Sequence, residues 1–430
     1  MMKDRLAIVE GIRTPMGRAG GVLKTFGAET LGAIAVRELM ERSPVLAQDV
    51  DEIVFGNVAQ PSNAANIARV VGLMSGLPKQ VTGVTVHRNC ASGMESITTA
   101  AAKIFSGEST VIVAGGTESM SNIPLLFSKP MTEFFGNLAK AKTWQQKLKV
   151  YLQFRPHFLT PRVGVVEGLT DPVCGLIMGL TAENLAKEFH ITREEQDAYT
   201  LWSHQKTAVA MKAGLFAEEI VPLPLLPEYK SVRYEDELLR GEQSLAALAK
   251  LKPYFDRVNG TVTVGNACPL TDGAAAVLVM AESEAKRRGL APLGYLREYA
   301  YAGLDAHRMG LGPVFATAKV FQKSGFSLAD MELIEINEAF AAQVIGCERA
   351  MASDEFAIRE LGLDKAIGVL DRDKLNVNGG SIALGHPVGM TGTRLVITLL
   401  KELKRRGLHR GLATLCVGGG QGAALILERD

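Results

Sequence analysis

EIVFGN at residues 52–57 and ELIEIN at residues 332–337 decide the fold, because each begins a similar succession of motifs. Both are typical of an apolar strand that ends on an asparagine. CASGM at 90–94 follows the first stretch, and HPVGM at 386–390 follows the second. The shared order predicts that one half-domain has been duplicated, with chance similarity between two glycine-rich segments as the alternative.

The recurrence continues beyond these motifs. Each five-residue motif opens a predicted helix, over 93–106 and over 391–405. A strand follows each helix: STVIVAGG ends at Gly116 and LATLCVGG ends at Gly419. Short apolar runs that end in glycine, alternating with alanine-rich helical stretches, are typical of buried strands in a layered α/β fold.

The segment 123–250 lacks this rhythm and is rich in charged, helix-forming sequence. Two helices are predicted in it, with Thr181 and Thr192 as N-caps that precede acidic residues. Residues 136–166 carry six Lys or Arg and no Asp or Glu. One helical face of this basic stretch is expected to carry Trp144, Leu148, Tyr151 and Leu152.

The composition narrows the class of protein. The chain has 430 residues, 47% of them hydrophobic and 22% charged, and its net charge of +1 implies no nucleic-acid partner. Five scattered cysteines favour a reducing compartment over a disulfide framework, and no spacing suggests a metal site. No apolar run reaches about 18 residues and no signal segment is recognisable, so we expect a cytoplasmic enzyme, or a mitochondrial one whose transit peptide has been removed.

Two residues are candidates for nucleophile and base. Cys90 follows the strand-like run VTGVTV and precedes a helix, whose positive end is expected to lower the pKa of the thiol. A small buried hydrophobic residue is the structural alternative. His386 lies in the glycine-rich loop NVNGGSIALGHPVGMTG and is a candidate general base toward that thiol, with a turn-stabilising role as its alternative.

Three further candidate residues lie at the ends of predicted strands. Cys416 comes just before Gly418, and a second thiol with a pKa near neutral could exchange a proton with carbon. The N–H groups of the glycine run could form an oxyanion hole. Asn337 could position a water near a carbonyl oxygen or cap a helix. Each residue, considered alone, also has a purely structural interpretation.

Together these segments resemble the thiolase family over essentially the whole chain. The resemblance is carried, in this order, by VHRNCASGMESI, VIVAGGTESMS, MGLTAEN, REEQDAY, GTVTVGNACPLTDGAAA, INEAFAAQ, NVNGGSIALGHPVGMTGTR and ATLCVGGGQGAA. It implies the thiolase fold: two duplicated βαβαβαββ halves that form a layered α-β-α-β-α core, with an inserted, mostly helical loop domain. The expected division is an N-terminal core half over 1–122 and 251–286, the loop domain over 123–250, and a C-terminal core half over 287–430.

The resemblance also implies roles. Cys90 is expected to take the acyl group, His386 to deprotonate it, and Cys416 to move the proton at the α-carbon of acetyl-CoA. Asn337 is expected to hold a water that, with His386, stabilises an enolate-like or thioester oxygen. The N–H groups of Cys90 and Gly418 are expected to form the second oxyanion hole. Coenzyme A is implied as a substrate, with no permanently bound cofactor and no metal.

Two departures from the family concern the expected CoA contacts, Met178 and Cys268. The family often has HMG before TAEN, whereas this chain has Ile177-Met178-Gly179. Cys268 stands where relatives usually have Ser or Thr.

The implied activity is cleavage of 3-ketoacyl-CoA in fatty-acid β-oxidation, because the regions around GTVTVGNACPLTDG and LGPVFATAKVF resemble the degradative, trifunctional-complex-associated branch. In that branch the insertion at 136–166 can touch a membrane or a partner subunit, with an ordinary surface hairpin as the alternative. A homodimer or homotetramer is expected, together with a hydratase/dehydrogenase subunit.

Three other functions are alternatives to 3-ketoacyl-CoA cleavage. Acetoacetyl-CoA synthesis is the first alternative, because NEAF is also common in those relatives. A non-catalytic subunit of a lipid-oxidising complex is remote, since Cys90, His386 and Cys416 are all present. A decarboxylating ketosynthase shares the fold but would show one Cys and two His.

Overall fold

A computed structural model describes residues 4–430. The strands are β1 (Leu6–Arg13), β2 (Gly17–Arg18), β3 (Glu52–Gly56), β4 (Thr82–Val86), β5 (Val111–Ser119), β6 (Leu125–Leu126), β7 (Arg162–Val163), β8 (Leu223–Pro224), β9 (Val232–Arg233), β10 (Thr271–Ala281), β11 (Gly294–Gly303), β12 (Leu333–Ile336), β13 (Arg410–Val417) and β14 (Gln421–Glu428).

The two helices predicted after the CASGM and HPVGM motifs are both present. The helices are α1 (Ala28–Arg42), α2 (Ile67–Ser75), α3 (Ser92–Phe105), α4 (Lys129–Lys140), α5 (Trp144–Tyr151), α6 (Gly164–Gly168), α7 (Met178–Glu188), α8 (Arg193–Lys212), α9 (Leu245–Ala249), α10 (Glu282–Arg287), α11 (Gly312–Ser324), α12 (Ala341–Met351), α13 (Asp354–Phe356), α14 (Ser381–Leu384) and α15 (Val388–Arg406). The two predicted helices are α3 and α15.

The strands of the two halves pair in matching order. The first half runs β4-β3-β5-β10-β1, with β3 parallel to β4 and β5 and the other pairs antiparallel. The second half runs β12-β13-β14-β11, with β12 parallel to β13. A bridge between Ile334 and Leu375 stands where β4 lies in the first half. The antiparallel pair of β1 and β11 joins the halves, so the predicted duplication is confirmed.

Three hydrophobic cores join five layers, because the central core covers both faces of the inner helix layer. Leu31, Phe55 and Val71 belong to the core between the first half-sheet and its outer helices α1 and α2. The central core contains Met94 of α3 and Leu395 of α15, which lie between the two half-sheets. A third core packs α11 and α12 on the second half-sheet. This arrangement is the predicted α-β-α-β-α fold, whereas the division into domains at 122, 250 and 286 stays a prediction.

The two strand-end asparagines do not occupy equivalent positions in the repeat. The N–H of Asn57 donates to the carbonyl of Val86, the last residue of β4, whereas the N–H of Asn337 donates to that of Thr414 in β13. Successive residues of a strand turn their backbone N–H groups and their side chains to opposite sides. When the repeated strands are superposed, the positions of the two asparagines are therefore offset by an odd number of residues. Accordingly, Val54 packs in the central core and Ile334, three residues before Asn337 as Val54 is before Asn57, packs in the outer core.

One of the two predicted helix caps is correct. Thr192 caps α8 in a reciprocal capping box with Glu195. Thr181 is not a cap, because α7 begins three residues earlier at Met178 and the Thr181 hydroxyl donates to the Met178 carbonyl at 2.6 Å. Tertiary packing fixes the earlier start, since Gly179 lies directly against the ring of Phe255.

The basic stretch forms a helical hairpin of α4 and α5 that β6 and β7 close at its base. Leu152 follows the end of α5, and the exposed fractions of Trp144, Leu148, Tyr151 and Leu152 lie between 48% and 69%. Among residues 4–430, no helix is long and apolar enough to cross a membrane. The same residues contain no cluster of His, Cys, Asp and Glu that could hold a metal ion.

Candidate active site

The site forms where the two central helices cross near their N-terminal ends. A Cβ atom on Gly93 would lie 2.6 Å from the Thr393 nitrogen, so only glycine permits this approach. The Thr393 hydroxyl donates to the Gly93 carbonyl at 3.0 Å. Cys90 and His386 each lie two residues before the start of a crossing helix, α3 and α15 respectively. The crossing therefore places the turn that carries Cys90 next to the turn that carries His386.

The sulfur of Cys90 is held by backbone donors. The N–H groups of Gly418 and of Cys90 itself donate to it and lower its pKa. Burial by the surrounding protein has the larger effect and raises the pKa above its ordinary value. The expectation of a lowered pKa is therefore wrong for the resting protein, because desolvation outweighs the helix end, and Cys90 needs a base.

His386 is arranged as a neutral base. The Thr391 hydroxyl donates to the Pro387 carbonyl at 2.9 Å, so at 2.6 Å it accepts from the Nδ1–H of His386. This tautomer leaves the lone pair on Nε2, which is buried and has no hydrogen-bond partner among the described residues. Burial, together with the charge of Arg394, lowers the pKa of His386 to about 3, so the imidazole is neutral at physiological pH.

A buried relay orients the amide of Asn337. Its Oδ1 accepts from the Ser381 hydroxyl at 2.6 Å, and that hydroxyl accepts from Arg394 at 3.0 Å. Arg394 is paired in turn with Glu335 at 3.3 Å. The Nδ2 of Asn337 is buried and lacks a partner among residues 4–430, so its N–H groups remain free to donate.

Cys416 is buried near the end of β13. Burial and then the neighbouring charge of Cys90 raise its pKa well above the ordinary value. The expected pKa near neutral is therefore wrong, because the site is too desolvated to favour a thiolate. At physiological pH Cys416 holds a proton that it can donate.

Met178 and Cys268, the two expected CoA contacts, also lie beside the candidate active site. The sulfur of Met178, at the start of α7, lies 3.3 Å from the position of a Cβ atom on Gly418. The Cys268 N–H donates to Ala339 at 2.9 Å, and burial followed by the charge of Cys90 raises the pKa of Cys268. The backbone of Leu270 forms a bridge with that of His386, so this segment borders the site.

Sequence reasoning missed Glu118, a buried carboxylate at the end of β5. One oxygen accepts from the Asn57 amide at 3.1 Å and from the Ala59 N–H at 3.0 Å. The other accepts from the N–H groups of Val58 at 3.1 Å and Gly389 at 2.9 Å. Burial raises the pKa of Glu118 to about 7. An acid after the apolar run VIVAGGT was the available signal, since such a residue requires partners when it is buried.

Asn89, Thr391, Ser381 and Arg394 were missed as well. Asn89 contacts Gly418, and Arg394 contacts Ser381 and Glu335, which no local pattern connects to them. Thr391 lies only five residues after its partner His386. Arg394 was visible as a charge inside an apolar helical stretch, which indicates a buried ion pair.

The fold and this site define a thiol-dependent acyltransferase. Residues 6–283 match the thiolase N-terminal domain family, and residues 290–429 match the thiolase C-terminal domain family. The chain is 44% identical over 426 residues to a 3-ketoacyl-CoA thiolase of Serratia proteamaculans (strain 568), covering 99% of this chain and 97% of the relative. A Yersinia pestis (strain Pestoides F) protein of the same name is 43% identical with the same coverage. The chain belongs to the thiolase family.

Solved structures agree with this assignment. The acetyl-CoA acetyltransferase of Bacillus anthracis superposes with a TM-score of 0.87 at 40% identity, covering 99% of this chain and 98% of that chain. Human mitochondrial 3-ketoacyl-CoA thiolase in complex with CoA superposes with a TM-score of 0.85 at 37% identity and the same coverage.

Proposed function

We propose that the chain is a 3-ketoacyl-CoA thiolase that cleaves its substrate with coenzyme A through an acyl group on Cys90. The observation that carries this function is the helix crossing, which unites the Cys90 turn of one half with the His386 turn of the other. The names of the relatives from Serratia and Yersinia support the same reaction.

The first step transfers the shortened acyl group to the enzyme. The Nε2 of His386 accepts the proton of Cys90, and the thiolate attacks the 3-keto carbon of the substrate. The bond between C2 and C3 breaks and leaves the carbanion of acetyl-CoA. Cys416 donates its proton to that carbon, which releases acetyl-CoA, and general acid catalysis of this kind contributes about 10²–10⁴-fold in rate.

The second step passes the acyl group to coenzyme A. The thiol of CoA loses its proton to Cys416 and attacks the thioester carbon, and Cys90 leaves as the thiolate and recovers its proton from His386. The N–H groups of Cys90 and Gly418 stabilise the thioester oxygen as charge develops on it. The free N–H groups of Asn337 and a water act with His386 at the other oxygen. Such donors contribute about 10²–10³-fold each.

Intact mass and peptide mapping test this function directly. The protein is mixed with a series of 3-ketoacyl-CoAs, from acetoacetyl to long-chain, without free CoA. An acyl adduct on Cys90 is the expected result. If no substrate in the series modifies Cys90 in a folded preparation, the catalytic assignment is wrong and a non-catalytic subunit becomes the better reading.

The role of Cys416 has a separate test. Exchange of an acyl group between an acyl-CoA without a 3-keto group and labelled CoA forms no carbanion. In exchange Cys416 moves a proton only to or from sulfur, and water can replace it there, whereas the protonation of carbon has no such substitute. We expect Cys416→Ala to slow 3-ketoacyl-CoA cleavage by about 10²–10³-fold and to slow exchange far less. Equal losses in both reactions would contradict a role at the α-carbon.

An acetyl-CoA C-acetyltransferase that makes acetoacetyl-CoA is the second candidate. The Bacillus anthracis structure, an acetyl-CoA acetyltransferase, favours it. The same residues serve this reverse direction. Loading of Cys90 by acetoacetyl-CoA alone would favour this candidate, and loading by longer chains would favour the degradative one.

We also propose that the hairpin at 136–166 binds anionic membranes at their surface. Its six basic residues and its exposed Trp144 and Leu152 support this contact. The test is sedimentation with phosphatidylserine liposomes after glutamine replaces Lys140, Lys142, Lys147, Lys149, Arg155 and Arg162. Glutamine at Lys286 and Arg287, outside the hairpin, is the control. Failure of the wild type to sediment contradicts the proposal.

Assembly and location remain part of this proposal. A homodimer or homotetramer is expected, with a hydratase/dehydrogenase subunit as a partner, in the cytoplasm. Light scattering of the purified chain gives the first answer, and fractionation with co-purification gives the others. A monomer that shows full activity would contradict the expected assembly.

A further inference from the structure

Asn89, directly before the nucleophile, has an unusual backbone conformation. Its φ of 43° lies in the left-handed region, which few non-glycine residues adopt. Asparagine tolerates this region better than most side chains. Strained residues cluster at functional sites, where the surrounding contacts hold them in place.

The side chain of Asn89 reaches the glycine run of the other half. Its Nδ2 donates to the Gly418 carbonyl at 2.7 Å, across 329 positions of sequence. The N–H of the same Gly418 donates to the sulfur of Cys90. The Asn89 amide thus binds the carbonyl of Gly418, while the N–H of Gly418, in the preceding peptide group, contacts the sulfur of Cys90.

The glycine run has little conformational preference of its own. Gly419 and Gly420 have φ values of 88° and 74°, and Gly418 also lacks a Cβ atom. Glycine loses more conformational freedom on folding than any other residue, so an external contact is needed to fix the direction of its N–H. The Asn89 amide supplies such a contact.

Asn89 is itself rigidly held. Its carbonyl accepts from the N–H of Ser92 at 3.0 Å and from the Ser92 hydroxyl at 2.7 Å. The Ser92 hydroxyl accepts in turn from the Arg88 N–H at 2.9 Å. The start of α3 therefore fixes the turn, and the turn fixes the amide.

We propose that Asn89 is a positioning residue: by binding the Gly418 carbonyl it fixes the backbone of Gly418, and so the direction of the Gly418 N–H toward the sulfur of Cys90. This inference rests on the proposed function for its effect on turnover, since the Gly418 N–H is the donor that stabilises the thioester oxygen. Its effect on the resting thiol is independent of any substrate. A purely structural Asn89 would change stability but not the reactivity of Cys90.

The test compares Asn89→Gly with the wild type. Glycine keeps the left-handed turn without strain and removes only the amide. The pH dependence of Cys90 alkylation by iodoacetamide is measured by peptide mass, together with kcat and KM for acetoacetyl-CoA cleavage. We expect alkylation to shift to higher pH and kcat to fall about tenfold, with KM for CoA changed by about twofold at most.

The control is Asn122→Ala, which removes another amide that binds carbonyl groups, those of Lys24 and Phe26, outside the site. A folded Asn89→Gly protein with the wild-type alkylation profile and kcat would overturn the proposal. If that variant does not fold, Asn89→Asp replaces the donor by an acceptor at nearly constant shape, and an unchanged kcat in it overturns the proposal equally. Failure of wild-type Cys90 to load an acyl group would instead contradict the proposed function, while the alkylation profiles would still decide the role of Asn89.

Discussion

The two halves of the molecule hold each other's helix-start turns with different chemistry. At the end of β5, Glu118 accepts from the N–H of Gly389 in the first turn of α15. After β13, Gly418 contacts Asn89 and Cys90, just before α3. The Glu118 contact is a carboxylate whose oxygens are saturated with four donors, and the Gly418 contact ends on a reactive sulfur.

The strand-end asparagines, Asn57 and Asn337, also differ in how far their side-chain N–H groups are used. Both N–H groups of Asn57 are used, by the Thr117 carbonyl at 2.9 Å and by Glu118. Asn337 has its oxygen bound by Ser381 and its donors free. A duplicated scaffold thus provides two similar corners. One is a structural brace, in which the carboxylate of Glu118 and both N–H groups of Asn57 are paired, and the other keeps the N–H groups of Asn337 free for chemistry.

Removal of the sulfur at the reactive corner has the largest expected effect. Cys90→Ala eliminates the nucleophile, and we expect kcat for acetoacetyl-CoA cleavage to fall on the order of 10⁴-fold or more. Cys174→Ala, at a half-buried cysteine of the segment 123–250, is the matched control and should retain turnover. Comparable turnover by Cys90→Ala and the wild type would remove the reason to treat this corner as catalytic.

The two asparagines sharpen the comparison next. Asn337→Ala removes a free donor, so we expect kcat to fall about 10²–10³-fold with a small change in melting temperature. Asn57→Ala leaves Glu118 and a buried carbonyl short of a donor, so we expect a loss of about 1–3 kcal/mol in the free energy of unfolding and a much smaller change in kcat. Steady-state kinetics and urea denaturation measure both, and identical behaviour of the variants would end the distinction.

The brace itself is tested by Glu118→Gln. The NH2 group of glutamine faces two N–H donors that were bound by a carboxylate oxygen of Glu118. Because a donor cannot accept these hydrogen bonds, we expect the free energy of unfolding to fall by about 3 kcal/mol. The control is Glu108→Gln on the surface, where Glu108 pairs with Lys103 and contributes little. Stability equal to that of the control would show that the saturated carboxylate is not a brace.

The histidines of the two turns give the smallest expected effect. Burial lowers the pKa of His386 to about 3, whereas the unfolded chain binds a proton near pH 6.5. Stability from this group is therefore complete above pH 6.5 and is lost as the pH falls, by on the order of 2 kcal/mol at pH 5.

Urea denaturation at pH 7.5 and pH 5 measures this difference. His386→Gln should lose less stability than the wild type between the two values. His87→Gln changes an exposed histidine of the other turn and should follow the wild type. A wild-type pH dependence in His386→Gln would contradict the buried neutral imidazole.

Much of the fold and site could be predicted from local patterns. Apolar runs that end in glycine marked the strands, and the motifs around Cys90 and His386 marked the two central helices, because such signals act within a few residues. Thr181 was misread as a cap, because packing of Gly179 on Phe255 starts α7 earlier than the local sequence indicates.

The sequence by itself determined the duplicated α/β scaffold, the thiol and imidazole candidates, and the turns that carry them. Only the tertiary structure decided the raised pKa of Cys90, the tautomer of His386 and the free donors of Asn337. The physical reason is range: helix and strand signals act between neighbours, whereas burial and hydrogen bonds join groups such as Asn89 and Gly418, which are 329 residues apart.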